Sequence, residues 1–345
     1  LRPDMHHADS TVLRISLGIS LAAFVCFGLA LPMPHLGCIM AWVILCMPGE
    51  ALSLKKGLIG GVLLSLIMTA GVLLVPLLSY YTLAAVLLVA LLLYFLMLIS
   101  VTGKGVLAML LTMAITLIPI AGLIEQAVAL AIAQLIAIGV LIGTLVNGIA
   151  HALFPPAPVT AAEKPILLPP EHPKRLALRA TIIVIPVWLL ALSDPAFYIP
   201  AVMKTVMLAQ QSTLLNAKQA GRELVLSTLM GALLAFALWM GLSIWPSLLM
   251  LVLMLGLMTM WLTRRLIQLV PTGFPPSFWS NSWVTALILF GPAIADSTNG
   301  KDVWLAAAMR CSLYLLVAGY GWLCFIALEQ KWPAGRPASE APVGE

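Results

Sequence analysis

Long apolar runs follow one another along almost the whole chain, and they constrain the fold more than any other feature of the sequence. Each run has roughly 16 to 26 residues, close to the 20 or so that a helix needs to cross a bilayer. Of the 345 residues, 62% are hydrophobic and 9% are charged. A water-soluble protein of this size needs a larger share of charged residues to cover its surface. The sequence therefore predicts an all-α polytopic membrane protein.

About twelve transmembrane helices are predicted, in two tandem sets of six. The first set lies near residues 12–31, 35–52, 57–78, 82–100, 105–122 and 126–153. The second set lies near residues 176–193, 197–215, 223–244, 247–263, 278–295 and 303–328. A Pro-rich stretch separates the two sets. The predicted segments are a first six-helix membrane repeat (1–153), a cytoplasmic linker (154–175), a second six-helix membrane repeat (176–329) and a cytoplasmic tail (330–345).

The basic residues indicate how the helices are oriented. With both termini in the cytoplasm, fifteen of the eighteen Lys and Arg residues fall on the cytoplasmic side, among them Arg264 and Arg265. Only Lys301 falls in an outer loop, and Lys204 and Arg310 fall within helices. So one-sided a distribution supports the orientation and the number of helices together. The net charge of +5 is spread singly or in pairs between apolar segments, a pattern that argues against nucleic-acid binding.

The two halves carry matching landmarks, which predict an internal repeat. The matching pairs are Arg14 and Arg179, Pro76 and Pro246, and Pro119 and Pro292, with offsets of 165, 170 and 173. A slowly growing offset is typical of a duplicated unit with small loop insertions. Because six is an even number, the halves form a parallel repeat, which commonly binds substrate beside short or interrupted helices. The second and eighth helices fit that description.

Two cations inside predicted helices are candidates for substrate binding. Lys204 and Arg310 each lie about seven residues from the outer end of a helix, and therefore about 10 Å deep. Intramembrane cations are costly unless they are paired, so one interpretation is a cavity that attracts an anion such as a carboxylate. The alternative is a structural ion pair, or side chains that reach to the headgroups. The pattern leaves both interpretations open.

Other polar residues complete the predicted site. Gln210, Gln211, Asn281 and Tyr314 lie on apolar helices of the second half, and they join the two cations as substrate-binding candidates. Near the outer face, the carboxylates are candidates for proton coupling or for ion pairing: Asp194, Asp296 and Asp302. Trp279, Trp283 and Trp304 could stack an aromatic ring, although interfacial belts also hold Trp.

Catalytic and metal centres are not indicated by the sequence. The five cysteines lie in apolar runs without CxxC or His/Cys ligand spacing, so we expect packing thiols and neither metal nor cofactor. A membrane enzyme would need clustered carboxylates or histidines at one membrane surface, and the cytoplasmic loops lack such a cluster. A transporter is therefore favoured over an enzyme.

The chain resembles the fusaric acid resistance and aromatic acid exporter-like superfamily, in a short form without its large cytosolic domain. The segments that carry the resemblance are Leu13-Arg14-Ile15, Leu178-Arg179-Ala180, Gln210-Gln211-Ser212 and Gly221-Arg222-Glu223, with Gly231 further along. The resemblance implies proton-driven export of aromatic carboxylic acids or similar toxic small molecules from the bacterial inner membrane. It also implies a periplasmic membrane-fusion adaptor of the HlyD-like type and an outer-membrane channel. Membrane lipid surrounds such a chain. The resemblance is also compatible with a homo-oligomer.

Besides a membrane enzyme, two other classes of membrane protein remain as alternatives. A major-facilitator permease would also have six plus six helices, but its Gly- and Arg-rich loop after the second helix is absent, and Pro48-Gly49-Glu50 stands there instead. A non-transporting assembly subunit would use the same polar residues only as contacts between subunits. The preferred hypothesis is an efflux transporter for small anionic aromatic compounds.

Overall fold

The computed structural model describes residues 3–47, 53–101, 105–155, 173–211, 217–298, 300 and 302–331. Throughout these ranges the secondary structure is helical, without strands. In chain order the helices are α1 (Pro3–Gly28), α2 (Pro34–Leu45), α3 (Leu54–Gly71), α4 (Leu74–Tyr80), α5 (Thr82–Val101), α6 (Gly105–Ile124), α7 (Gln126–Leu153), α8 (Pro173–Ala191), α9 (Pro195–Gln211), α10 (Ala217–Ile244), α11 (Leu248–Leu266), α12 (Pro276–Thr298) and α13 (Val303–Lys331).

Eight of the described spans are long and apolar enough to cross a bilayer. They are Ala8–Gly28, Leu54–Tyr80, Thr82–Val101, Gln126–Leu153, Arg222–Ile244, Leu248–Leu266, Pro276–Ser297 and Val303–Leu328. Two further apolar helices are shorter, Pro34–Leu45 and Leu111–Ile124. By length and composition this set indicates a multi-pass helical membrane protein. The full number of twelve spans and the cytoplasmic position of both termini stay predictions.

The third helix is predicted as one continuous span, but in the structure it is interrupted. After α3 ends at Gly71, a turn at Val72 and Leu73 leads into α4. Pro76 lies in the first turn of α4, and its ring has no N–H to continue the ladder of α3 and clashes with the carbonyl four residues earlier. The chain therefore forms two helices in place of one, and α4 begins where a proline is tolerated.

The chain divides into two compact units, and boundaries between them fall within α3, α7, α10 and α13. Unit 1 comprises Leu1–Ser65, Gln134–Ala161 and Glu223–Leu315. In it α1 packs against α2 and α11, and α12 also packs against α2 and α11. These four helices thus form a closed ring in the order α1, α2, α12, α11.

Unit 2 comprises Leu66–Ala133, Ala162–Arg222 and Leu316–Glu345. In it α8 packs against α9 and α5, and α6 also packs against α9 and α5. The ring order is therefore α8, α9, α6, α5, and α4 packs on the α5 and α6 side.

The units take their helices from both halves of the sequence. Each ring joins the first two helices of one predicted half to the fourth and fifth helices of the other half. Packing therefore groups the helices differently from the order of the chain. The predicted boundaries divide the sequence into the segments 1–153, 154–175, 176–329 and 330–345. As domain boundaries they stay a prediction.

Glycines bring helices of unit 1 into close contact. A Cβ placed on Gly143 of α7 would lie 2.9 Å from the Cα of Ala41 in α2, and one on Gly139 would lie 3.1 Å from the Cα of Gly37. On α10, a Cβ at Gly231 would lie 2.6 Å from the Cβ of Thr285 in α12. Small residues allow such close approach between membrane helices, where dispersion contacts replace the hydrophobic effect. These contacts place α7 on α2 and α10 on α12.

Candidate functional site

Helix α12 is buried on all sides over much of its length. Every residue from 281 to 291 is buried. Of its most apolar window 78% is buried, whereas the corresponding share in the other seven spans is 28% to 50%. α12 is also the least apolar of the eight spans. A polar helix in a membrane has to face protein or water rather than lipid. The position of α12 between α2 and α11 provides that environment.

One face of α12 carries a polar stripe, which consists of Asn281, Thr285, Pro292 and Asp296. The spacing of i, i+4, i+11 and i+15 places the four residues on one side of the helix over about 22 Å. Asn281 is 9% exposed and Thr285 1% exposed. Thr285 Oγ1 donates to the carbonyl of Asn281 at 2.7 Å. The proline has no N–H for the carbonyl of Ile288, which weakens the backbone ladder within the stripe.

An ion pair marks one end of the stripe. Arg310 Nη1 of α13 lies 2.6 Å from Asp296 Oδ2, and the side chains are 23% and 9% exposed. Separating two charges in a low-dielectric environment leaves an uncompensated charge, so each of them depends on the other. The sequence predicted both residues as site candidates, and the structure brings them together.

Two aromatic hydrogen-bonding groups of unit 1 are buried without a partner among the described residues. Tyr314 lies one turn after Arg310 on α13, it is 1% exposed, and its Oη has no hydrogen bond. Trp283 of α12 is fully buried, and its Nε1 has none either. An unsatisfied buried donor costs about 1–3 kcal/mol, so such groups are rare in native proteins. Both are aromatic donors that a polar ligand could satisfy.

At its opposite end α12 meets a second buried carboxylate. Glu223 of α10 is 5% exposed, and its Oε1 accepts a hydrogen bond from Ser277 Oγ. Its Oε2 has no partner among the described residues. Sequence reasoning quoted Glu223 only for the family resemblance and missed it as a site residue. The available signal was an acid at the start of an apolar helix.

The other two predicted carboxylates cap helices. Asp302 Oδ1 accepts from the backbone N–H of Trp304 at 3.0 Å and of Leu305 at 3.2 Å. Asp194 Oδ1 accepts from the N–H of Phe197 at 3.3 Å. Both carboxylates are exposed, and each satisfies the free donors at a helix start. Their predicted role in proton coupling stays a prediction, and their structural role is capping.

The predicted site residues are divided between the two units. Those in unit 1 are Asn281, Asp296, Asp302, Arg310 and Tyr314, and those in unit 2 are Asp194, Lys204, Gln210 and Gln211. Lys204 is 4% exposed and has an interaction partner. Gln210 and Gln211 end α9, and their side chains lie outside what the structure describes. A common layer of Lys204 and Arg310 therefore stays a prediction.

The predicted stacking aromatics lie in different surroundings. Trp283 packs edge-on against Trp42 of α2, with ring centroids 6.3 Å apart. Trp304 is 51% exposed, and its ring centroid lies 5.6 Å from that of Phe236. Trp279 packs against Trp261 near the end of α11. Of these three side chains, Trp283 is the one whose unpartnered donor is buried inside unit 1.

Two further cations are buried although sequence reasoning assigned them to the cytoplasmic side. Arg14 lies within α1 and is 8% exposed, and Arg179 lies within α8 and is 4% exposed. The two helices occupy corresponding positions in the two rings. The positive-inside pattern counts charges but carries no information about burial, which explains why both residues were missed as candidates.

No group of three or more potential metal ligands occurs among the described His, Cys, Asp and Glu residues. The candidate site thus consists of an ion pair and hydrogen-bonding groups. No family model, curated protein or solved structure matches the chain in the comparisons made with known proteins.

Proposed function

We propose that this chain is a bacterial inner-membrane efflux transporter that exports small anionic aromatic compounds. The observation that carries the proposal is the ion pair of Arg310 and Asp296 at the end of the buried polar stripe of α12. Ionisable residues inside membrane helices are rare, and they commonly mark the path of a substrate or an ion.

The ion pair supports an anionic substrate in particular. A guanidinium binds carboxylates in a planar, two-pronged geometry, so a substrate carboxylate can replace Asp296 as the partner of Arg310. Tyr314 Oη lies one helical turn away as an additional donor. Trp283 lies about 20 Å along α12 from Asp296, too far away to stack a ring held by Arg310. Arg310 and Tyr314 favour an acid over a cation or a neutral sugar, and the aromatic character of the substrate comes from the resemblance alone.

Proton coupling is the further part of the proposal. Glu223 and Asp296 are the two buried carboxylates of the described residues, and they lie toward opposite ends of α12. The stretch of α12 from Ser277, the hydrogen-bond partner of Glu223, to Asp296 is about 28 Å long, close to the thickness of the hydrocarbon core. A carboxylate near each membrane face is a suitable arrangement for proton exchange with both sides.

The proposed architecture is two parallel six-helix repeats, with twelve spans and both termini in the cytoplasm, and the two rings support the repeat. If the second half repeats the first, α8 and α9 correspond to α1 and α2, and α11 and α12 correspond to α5 and α6. Every helix contact in one ring then has its counterpart in the other ring. Unrelated halves would have no reason to reproduce the same four contacts.

The function is tested by measuring the accumulation of aromatic carboxylic acids in cells. A strain lacking the gene is compared with strains that express the wild-type chain, Arg310→Gln or Asp296→Asn, each together with the proposed periplasmic adaptor. We expect the wild-type chain to lower the intracellular level of at least one acid and to raise resistance to it. Arg310→Gln should abolish both effects because the proposed anion partner is lost.

Matched controls separate the site from a general effect of charge. Lys56→Gln and Asp9→Asn make the same charge changes at exposed positions of unit 1 and should export like the wild type. Unchanged accumulation of every acid with the wild-type chain would reject aromatic-acid export. Full export by Arg310→Gln at equal membrane abundance would reject the proposed site. Omission of the adaptor tests the proposed partnership, and export that is independent of it would contradict that part.

A further inference from the structure

A groove lies at the end of α11, near the start of α12. Its volume is about 320 Å³, and its lining combines apolar side chains with two arginines. The lining residues are Leu257, Met260, Trp261, Arg264, Arg265 and Val270. The whole groove belongs to unit 1. Neither the resemblance nor the proposed transport site assigns it a role.

Arg265 is held in place at one wall of the groove. Its guanidinium carbon lies 3.7 Å from the ring centroid of Trp261 and 5.5 Å from that of Trp279. Nη1 donates to the carbonyl of Trp261 at 3.0 Å. Cation–π contacts and a backbone hydrogen bond restrict the side chain before any ligand arrives. One arginine of the groove is thus preorganised, with its other N–H groups available.

Arg264 supplies a second positive charge beside it. Arg264 is exposed, and among the described residues no carboxylate lies within 4 Å of either arginine. The chain that follows α11 folds back over the helix end, where Val270 N donates to the carbonyl of Arg264 at 3.2 Å and Gln268 N to that of Arg265 at 3.1 Å. These bonds satisfy helix-end carbonyls that would otherwise repel an anion.

An apolar surface leads from the membrane interior to the two arginines. Leu249, Leu253 and Leu257 are spaced by four residues on α11 and are 69%, 54% and 66% exposed. In a membrane span such a stripe faces lipid tails. It ends at the groove, where Trp261 is 40% exposed, as is typical of an aromatic side chain at the membrane interface. The surface therefore changes from apolar to basic over two helical turns.

We propose that this groove binds the phosphate of an anionic phospholipid, with the acyl chain along the leucines of α11. Arg264 and Arg265 provide charge-assisted hydrogen bonds to the phosphate, and the apolar stripe provides the contact for the tail. The positive-inside pattern assigns the pair to the cytoplasmic leaflet. The inference is independent of the proposed transport function, because it uses neither Arg310 nor the polar stripe.

Native mass spectrometry of the full-length purified chain tests the proposal. The chain in detergent is mixed with equal amounts of dioleoyl phosphatidylglycerol or dioleoyl phosphatidylcholine, and the fraction that carries one lipid is measured. We expect the wild type to retain phosphatidylglycerol about tenfold more strongly. Arg264→Gln/Arg265→Gln should lose that preference. Lys55→Gln/Lys56→Gln, which removes the same charge from an exposed basic pair, should keep it.

Three outcomes would overturn the proposal. The first is equal retention of the two lipids by the wild type. The second is equal loss of the preference in the lysine variant, which would indicate general attraction to charge. The third is displacement of phosphatidylglycerol by millimolar inorganic phosphate, which would indicate an anion site that does not select lipid. If the arginine variant elutes as an aggregate, the test is repeated with Arg264→Gln alone. This variant should fold because Arg264 makes none of the contacts to Trp261, and it should lower the preference because one of the two charges is lost.

Discussion

Helices α12 and α6 are counterparts in the proposed repeat, and they differ in one decisive respect. Thr112 and Pro119 of α6 correspond to Thr285 and Pro292 of α12 at the same offset of 173. Thr112 Oγ1 donates to the carbonyl of Ala108 at 2.7 Å, the same distance as in the bond from Thr285. The backbone features of the two helices are therefore alike.

The ends of the two helices are not alike. Where α12 has Asn281 and Asp296, the same offset gives Ala108 and Leu123 in α6. α6 thus keeps the threonine and the proline but lacks the amide and the carboxylate. The two helices therefore share a backbone framework, to which α12 adds an amide and a carboxylate at the ends of its stripe. A duplicated chain can retain one half for structure while the other half acquires a ligand.

The largest expected effect comes from breaking the ion pair between Asp296 of α12 and Arg310, for which α6 has no charged residue. Arg310→Leu leaves Asp296 unpaired and should lower the free energy of unfolding by about 3 kcal/mol. Adding Asp296→Leu, the residue type that α6 carries, should restore most of that stability but not export. Denaturant titration in detergent micelles measures the first quantity, and the cellular accumulation assay measures the second. Recovery of export in the double variant would show that the pair is structural and would remove the distinction between the helices.

A smaller effect is expected from the matched threonines. Thr285→Val and Thr112→Val each remove one hydroxyl that bonds to a backbone carbonyl, so each should lower the free energy of unfolding by about 1 kcal/mol. Only Thr285→Val should slow export, because Thr285 lies on the polar stripe. The same two assays are used with both variants. Equal loss of export in the two variants would contradict the assignment of the function to α12.

The smallest effect is expected from the helix caps of the two units. Asp302→Ala in unit 1 and Asp194→Ala in unit 2 each remove an exposed cap, at a cost of at most about 1 kcal/mol in the free energy of unfolding. Neither should change export beyond its effect on the amount of folded protein. A selective loss of export in Asp302→Ala would instead favour the predicted role of that carboxylate in proton coupling.

Much of the fold follows from patterns that are local in the chain. Apolar runs of membrane length predict helices, and the observed spans lie within a few residues of the predicted ones at α5, α7, α11 and α13. The interruption at Pro76 was missed, because the apolar run continues through the break and hydropathy does not register it. The pairing of Arg310 with Asp296 was among the open alternatives, since both lie near one membrane face. Its selection over Asp194 and Asp302 needed coordinates.

The sequence by itself determined the class of protein, since a chain that is 62% hydrophobic can satisfy its backbone in lipid only through closed hydrogen-bonded structure such as helices. It also determined which residues are costly in a membrane, Lys204, Asp296 and Arg310 among them. Only the tertiary structure decided which helices pack together and which faces are buried. In lipid most helix surfaces are equally apolar, so composition does not identify neighbours; close packing of small residues and pairing of buried polar groups do.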